Sequence, residues 1–182
     1  IAGLNFMAEQ INQIFHLLLN LDKYLGNIVA ANQLEAYLLI GLLIFMEPGF
    51  FMPFLPGDTV IFVAATIVAS KKLNYFLLWL TVYSFALLGD SLNYTIGHLF
   101  GHYLTHRKNS RFIKPEQVRK TREFYALYGV KTVLFCRYVP VIRSVAPFMG
   151  GVGELPYKKY LTYDLFGVFI WSALYINLGY FF

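Results

Sequence analysis

"MEPGFFMPFLPGD", residues 46–58, decides how this chain is read. It interrupts an apolar run with three prolines (Pro48, Pro53, Pro56) and two glycines (Gly49, Gly57), and it carries Glu47 and Asp58 where charge is costly. A proline inside a helix removes an N–H and clashes with the preceding turn, so a continuous helix is not expected here. Upstream, residues 34–47 form a mainly apolar arm of roughly 21 Å if helical, short of the ~30 Å hydrocarbon core of a bilayer. Downstream, residues 58–70 form a second short arm closed by Lys71 and Lys72. Two short arms joined by a Pro/Gly tip describe a re-entrant hairpin that enters and leaves by one face.

Working outward, residues 75–104 are long enough to cross a bilayer with tilt and carry Asp90 near the middle. Asp90 is read either as a site member or as a helix-packing group. Gly97 and Gly101 give a GxxxG face suited to close helix contact. The pattern then repeats. Residues 124–139 are a short apolar arm, 140–147 (PVIRSVAP) a tip bounded by Pro140 and Pro147, 148–157 a glycine-rich return, and 160–182 a full span containing Asp164. The expected fold is an all-α integral membrane protein of two inverted repeats, each a re-entrant hairpin followed by a span. Its expected divisions are an amphipathic, interfacial helix in 1–33 and a membrane domain in 34–182, with hairpin 34–70, span 74–104, basic loop 105–123, hairpin 124–157 and span 160–182.

Composition agrees with this. Of 182 residues, 58% are hydrophobic and only 14% charged, against about a quarter charged in an ordinary soluble domain. The net charge of +5 is concentrated: Arg107, Lys108, Arg111, Lys114, Arg119, Lys120 and Arg122 fall within 16 residues. Lying between apolar segments and lacking interleaved aromatics, this cluster reads as a cytoplasmic loop under the positive-inside rule, not as a nucleic-acid patch. Cys136 is the only cysteine, which excludes a disulfide framework. No basic leader with a cleavage site opens the chain, and both ends read as trimmed from a longer protein.

Non-helical backbone at membrane depth is tolerated only where protein or a watery cavity satisfies it. Paired broken segments in two inverted halves point to a transport site at the midplane. The first tip supplies Glu47 and Asp58, the second Arg137 and Arg143, and the two tips are expected to meet. Guanidinium forks suit bidentate binding of a phosphate. The carboxylates pair with them in the empty site and accept protons when an anion arrives. A purely structural ion-pair network is the competing account.

Together these residues resemble the DedA family, also called the SNARE-associated or VTT domain family. The resemblance rests on Glu47 with "PFLPGD" to Asp58, "GDSLNYTIGHLFG" (89–101), "FCRYVPVIRSVAPFMGGVG" (135–153) and "YDLFGVFIW" (163–171). It implies two opposed re-entrant hairpins in the cytoplasmic membrane and translocation of undecaprenyl phosphate or a phospholipid driven by the proton motive force. It places the family's essential acids on Glu47 and Asp58 and its essential arginines on Arg137 and Arg143. Asp164 stands where the family pattern usually has Asn.

Other signals are weaker. His98, His102 and His106 share a helical face but have no nearby acidic or thiol partner, so they read as interfacial, with no metal or other cofactor expected. Phe50, Phe51, Phe54 and Phe148 lie at the tips, as tip filling or as a guide for a lipid chain. Trp171, inside the last span, reads as lipid contact or core. A lipid phosphatase needs a nucleophile and base beside the arginines, which the histidine positions do not offer. A proton-coupled ion antiporter, or a membrane-homeostasis protein of the same fold, is the principal alternative; a scaffold is the third. Oligomerisation is compatible with all of these.

Overall fold

The computed structural model describes residues 21–49, 57–106 and 115–182, all helical or in short connections. The helices are α1 (Leu21–Ala31), α2 (Gln33–Gly49), α3 (Gly57–Ala69), α4 (Tyr75–His106), α5 (Pro115–Tyr128), α6 (Lys131–Cys136), α7 (Pro140–Val152) and α8 (Tyr157–Phe181). Within α4 and α8, Tyr75–Gly101 and Tyr157–Phe181 are long and apolar enough to cross a membrane. Pro53, Pro56, Phe50, Phe51 and Phe54 of the first tip lie outside the described residues, as do residues 1–20 of the amphipathic segment and 107–114 of the basic stretch.

Contacts fix the directions of the long helices. Aromatic pairs Tyr75–Tyr180, Trp79–Phe169 and Tyr94–Tyr160 place the start of α4 beside the end of α8, so the two run antiparallel. The Tyr37 hydroxyl accepts a hydrogen bond from the Asn74 N–H at 2.7 Å, and Gly89 abuts the backbone of Phe45; α2 therefore runs parallel to α4. Asn93 opposite Ser144, Gly97 opposite Phe148 and Gly101 opposite Val152 make α7 parallel to α4 as well. Gly179 lies against Phe62 and Tyr175 lies beside Asp58, which makes α3 parallel to α8.

The arms are thus exchanged. α3, which leads out of the first tip, packs along α8 in the second half; α7, which leads out of the second tip, packs along α4 in the first. Glycine permits the α4–α7 approach. A Cβ on Gly97 would collide with the Phe148 carbonyl, and one on Gly101 would sit 2.9 Å from the Val152 Cα.

Two apolar clusters result. The larger joins α1–α4 with α8 through Ile40, Ile61, Leu78, Val168 and Ile176; the smaller joins Tyr94, Tyr125, Val133, Leu155 and Tyr160. Leu25 and Val29 tie α1 into the larger cluster. Asp90 falls between Ala86 and Tyr94 on α4, and Asp164 between Tyr160 and Val168 on α8. The charged residues therefore occupy the seam between the clusters. Large apolar side chains, Leu88, Phe166, Phe169, Ile170 and Leu174 among them, cover the outer surfaces of both long helices. Such a surface suits lipid contact.

Three sequence expectations change. The 105–123 stretch is not all loop, because α5 begins at Pro115. Proline is well placed at a first helical position, and the pairs Glu116–Lys120 (3.0 Å) and Arg119–Glu123 (2.8 Å) support the helix. The 124–139 arm is broken at Gly129, whose φ of +73° is left-handed. The break expected at 140–147 lies instead at 137–139, between α6 and α7. Pro140 opens α7 and Pro147 is inside it, as Pro48 is inside α2. A helical proline leaves the carbonyl four residues earlier without its N–H partner. Here those carbonyls belong to Arg143 and Ile44.

Candidate functional site

The first cluster forms where α2, α3 and α7 converge. Arg143, in the first turn of α7, donates from Nη1 to Asp58 Oδ1 at 2.5 Å and from Nε to Glu47 Oε1 at 3.2 Å, with Nη2 also on Glu47 Oε1. Glu47 is held there by local geometry. α3 starts at Gly57, and a Cβ at that position would collide with Glu47 Oε2. The N-terminal end of α3 also carries partial positive charge, which favours carboxylates beside it.

The second cluster lies deeper. Arg137, capping α6, donates from Nη1 to Asp164 Oδ1 at 2.6 Å and from Nη2 to Asp90 Oδ2. All three are sealed: Asp164 is 1% exposed, Asp90 2% and Arg137 9%. Gly167, one turn after Asp164, leaves room for the arginine stem, whose Cδ lies 3.3 Å from where a Cβ would be.

Trp171 joins the clusters. The guanidinium carbons of Arg137 and Arg143 lie 5.6 and 5.1 Å from its ring centroid, within cation–π range. Ile44, Glu47, Pro48, Ala86, Asp90, Arg137, Arg143, Ser144 and Trp171 enclose a cavity of about 20 Å³, room for roughly one water and not for a phosphate group. Among the described residues, Ser144 Oγ, Trp171 Nε1, Arg137 Nε and Asp164 Oδ2 are buried without a hydrogen-bond partner. Asn93 Nδ2 donates to the Ser144 carbonyl at 2.7 Å and fixes α7 on α4.

The clusters differ in access. The Asp58 side chain is 26% exposed and lines a shallow groove of about 270 Å³ with Thr59, Phe62, Tyr175 and Leu178, between α3 and α8. Its character is apolar, with a carboxylate at one end.

Glu47, Asp58, Arg137 and Arg143 are thus brought close, but not as two acids facing two arginines. Arg143 takes Glu47 from α2 and Asp58 from α3, while Arg137 takes Asp90 from α4 and Asp164 from α8. Pro48 lines the same cavity and Gly57 abuts the Glu47 carboxylate. Trp171, Ser144 and Asn93 were not read from the sequence as site residues. The signal for Trp171 was present: residues 164, 167 and 171 recur at helical spacing and share one face. His98 is exposed and stacks on Tyr94. Among the described residues no three His, Cys, Asp or Glu side chains group as metal ligands.

The VTT domain model matches residues 52–181. The chain is 36% identical to Protein DedA of Escherichia coli (strain K12) over 168 residues, 91% of this chain and 77% of that protein. It is 32% identical over 152 residues to an uncharacterized membrane protein of Mycobacterium leprae, 84% of this chain and 67% of that one. An uncharacterized membrane protein of Synechocystis sp. is 31% identical over 128 residues, 70% and 59% of the two chains. No solved structure matches.

Proposed function

Since this chain belongs to the DedA family of VTT-domain membrane proteins, we propose that it translocates a lipid phosphate, undecaprenyl phosphate or a phospholipid, across the cytoplasmic membrane with proton coupling. The observation that carries this reading is Arg143, a guanidinium fork held by Glu47 and by Asp58, the acid that also lines an apolar groove. A phosphate on an acyl or prenyl chain matches both parts: the headgroup suits the fork, and the chain suits Phe62, Tyr175 and Leu178.

Two further features support an anionic substrate. α3 and α7 both begin at the seam, so their positive ends converge on the site, as in transporters that hold anions at half-helix N-termini. The cavity between the arginines is closed by the protein's own carboxylates, so an incoming phosphate competes with Glu47 and Asp58 for Arg143. Protonating these acids removes the competitors, which links anion binding to proton uptake. Arg137 forms the second anion contact once the phosphate has advanced past Trp171.

The exchange of arms described above supports reading α2–α3 and α5–α7 as two re-entrant hairpins of opposite orientation, with α4 and α8 crossing between them. In that arrangement the basic stretch faces the cytoplasm.

The test uses purified protein in liposomes carrying a fluorescent lipid phosphate, with an imposed pH gradient. Gradient-dependent movement of the headgroup across the bilayer is the expected result. Gradient-dependent ion flux without lipid movement would make the protein an antiporter instead.

A further inference from the structure

We propose that Asp90, Arg137 and Asp164 form a second proton-binding site, separate from Glu47 and Asp58, and that its proton resides on Asp164 Oδ2. Two carboxylates share one guanidinium here, so with both ionised the cluster carries a net negative charge. Among the described residues no further cation pairs with it. From the elements around it, the charged or titratable groups that face it among the described residues are Arg143 on α7, Glu47 on α2, Tyr160 on α8 and Tyr83 on α4, with Tyr125 of α5 behind Tyr160 and Asp58 of α3 behind Arg143. Arg143 is already committed to Glu47 and Asp58, so the whole seam holds four carboxylates against two arginines. An uncompensated charge in a sealed apolar setting is strongly disfavoured even after relaxation, and like carboxylates sharing one site resolve it by keeping a proton.

Hydrogen bonding locates that proton. Asp164 Oδ1 accepts from Arg137, whereas Oδ2 is buried with no partner. An ionised carboxylate oxygen in that position lacks the donors that would stabilise it. Oδ2 as a hydroxyl makes the group neutral and turns the orphan atom into a donor. An independent feature points to the same place. The Tyr160 hydroxyl, one turn earlier on α8, is fully buried and unpartnered, and it lies within electrostatic reach of Asp164, Asp90 and Arg137. A proton-bearing Asp164 and this hydroxyl are both buried, unpartnered O–H groups, able to hydrogen-bond a water or to exchange a proton at the seam.

The site also joins elements that Arg143 does not. Arg137 ties α4 to α8, the two long helices, whereas Arg143 ties α7 to α2 and α3. Losing the proton at Asp164 sets two carboxylates against each other over one guanidinium and loosens the α4–α8 junction.

Infrared spectroscopy of the purified protein at neutral pH tests this. The wild type is expected to show a buried protonated-carboxyl C=O stretch that shifts in D2O. Asp164→Asn should lose one carboxyl equivalent of that band. Asp90→Asn should lose it too, because Asp164 then has Arg137 to itself and ionises. A band that persists at full intensity in either variant overturns the proposal, as does its replacement by sodium-dependent binding at constant ionic strength. Melting curves give a second readout that tolerates a weakly folded variant. A folded state holding more protons than the unfolded chain loses stability as pH rises. The wild type should show that slope between mildly acidic and alkaline pH, and Asp164→Asn should flatten it; an equal slope in both overturns the assignment.

Discussion

Arg137 and Arg143 carry the same charge on the same planar fork, yet their surroundings separate their roles. Arg143 sits near a groove and holds one partly exposed acid; Arg137 is sealed among helices. Replacing Arg143 by Lys keeps the charge but loses bidentate geometry. One lost charge-assisted hydrogen bond is worth about 1.5–3 kcal/mol, so lipid-phosphate binding should weaken roughly 10- to 100-fold. Titration of the purified variant with a short-chain lipid phosphate measures this, and unchanged affinity would reduce Arg143 to a counter-ion. Trp171 separates two contributions at one position. Trp171→Phe keeps an aromatic face for both guanidinium groups and loses the indole N–H, whereas Trp171→Leu loses the face as well. The Leu variant should be less stable than the Phe variant by about 2 kcal/mol, the scale of a desolvated cation–π contact. Thermal melts of the pair in the same detergent decide it, and equal midpoints would mean that the ring serves only as filler.

At the scale of elements, the α4–α7 contact is the least forgiving. Gly97 faces backbone, and backbone cannot rotate aside as a flexible side chain does. Gly97→Val should destabilise the protein by at least the ~1–3 kcal/mol typical of overpacking, seen as a lower melting temperature. A variant that melts like the wild type would contradict the close approach of these helices. Gly57→Ala acts differently. Its Cβ displaces the Glu47 carboxylate rather than a helix, so the protein should still fold while gradient-driven lipid movement is impaired. Retained movement in a folded Gly57→Ala protein would show that the position of Glu47 does not matter for transport.

For the whole molecule, the exchanged arms make a statement about sidedness. Lys72 lies just before α4 begins and Lys158 at the start of α8, and both are exposed. In a Cys136→Ala background, Lys72→Cys and Lys158→Cys should react with a membrane-impermeant thiol reagent from opposite faces of the membrane. Reaction of both from one face would rule out opposed hairpins.

What the sequence determined by itself follows from costs that act locally. Apolar length set which segments are long enough to span, and the pattern of prolines and glycines marked where helices had to stop or bend. Acids and arginines inside apolar stretches had to be paired, so Glu47, Asp58, Arg137 and Arg143 were legible as partners in buried ion pairs without coordinates. Which acid meets which arginine was not legible, because pairing depends on how far each arm reaches and along which neighbour it lies. Arg137 reaches Asp90 and Asp164 because α6 ends beside α8, with Gly167 leaving space for its stem. The second tip moved to 137–139 for a similar reason: proline tolerates a first helical turn as readily as a loop, and only tertiary contact chose between them. Trp171 became a site residue when two guanidinium groups arrived on its face from separate elements, a convergence that no local pattern encodes.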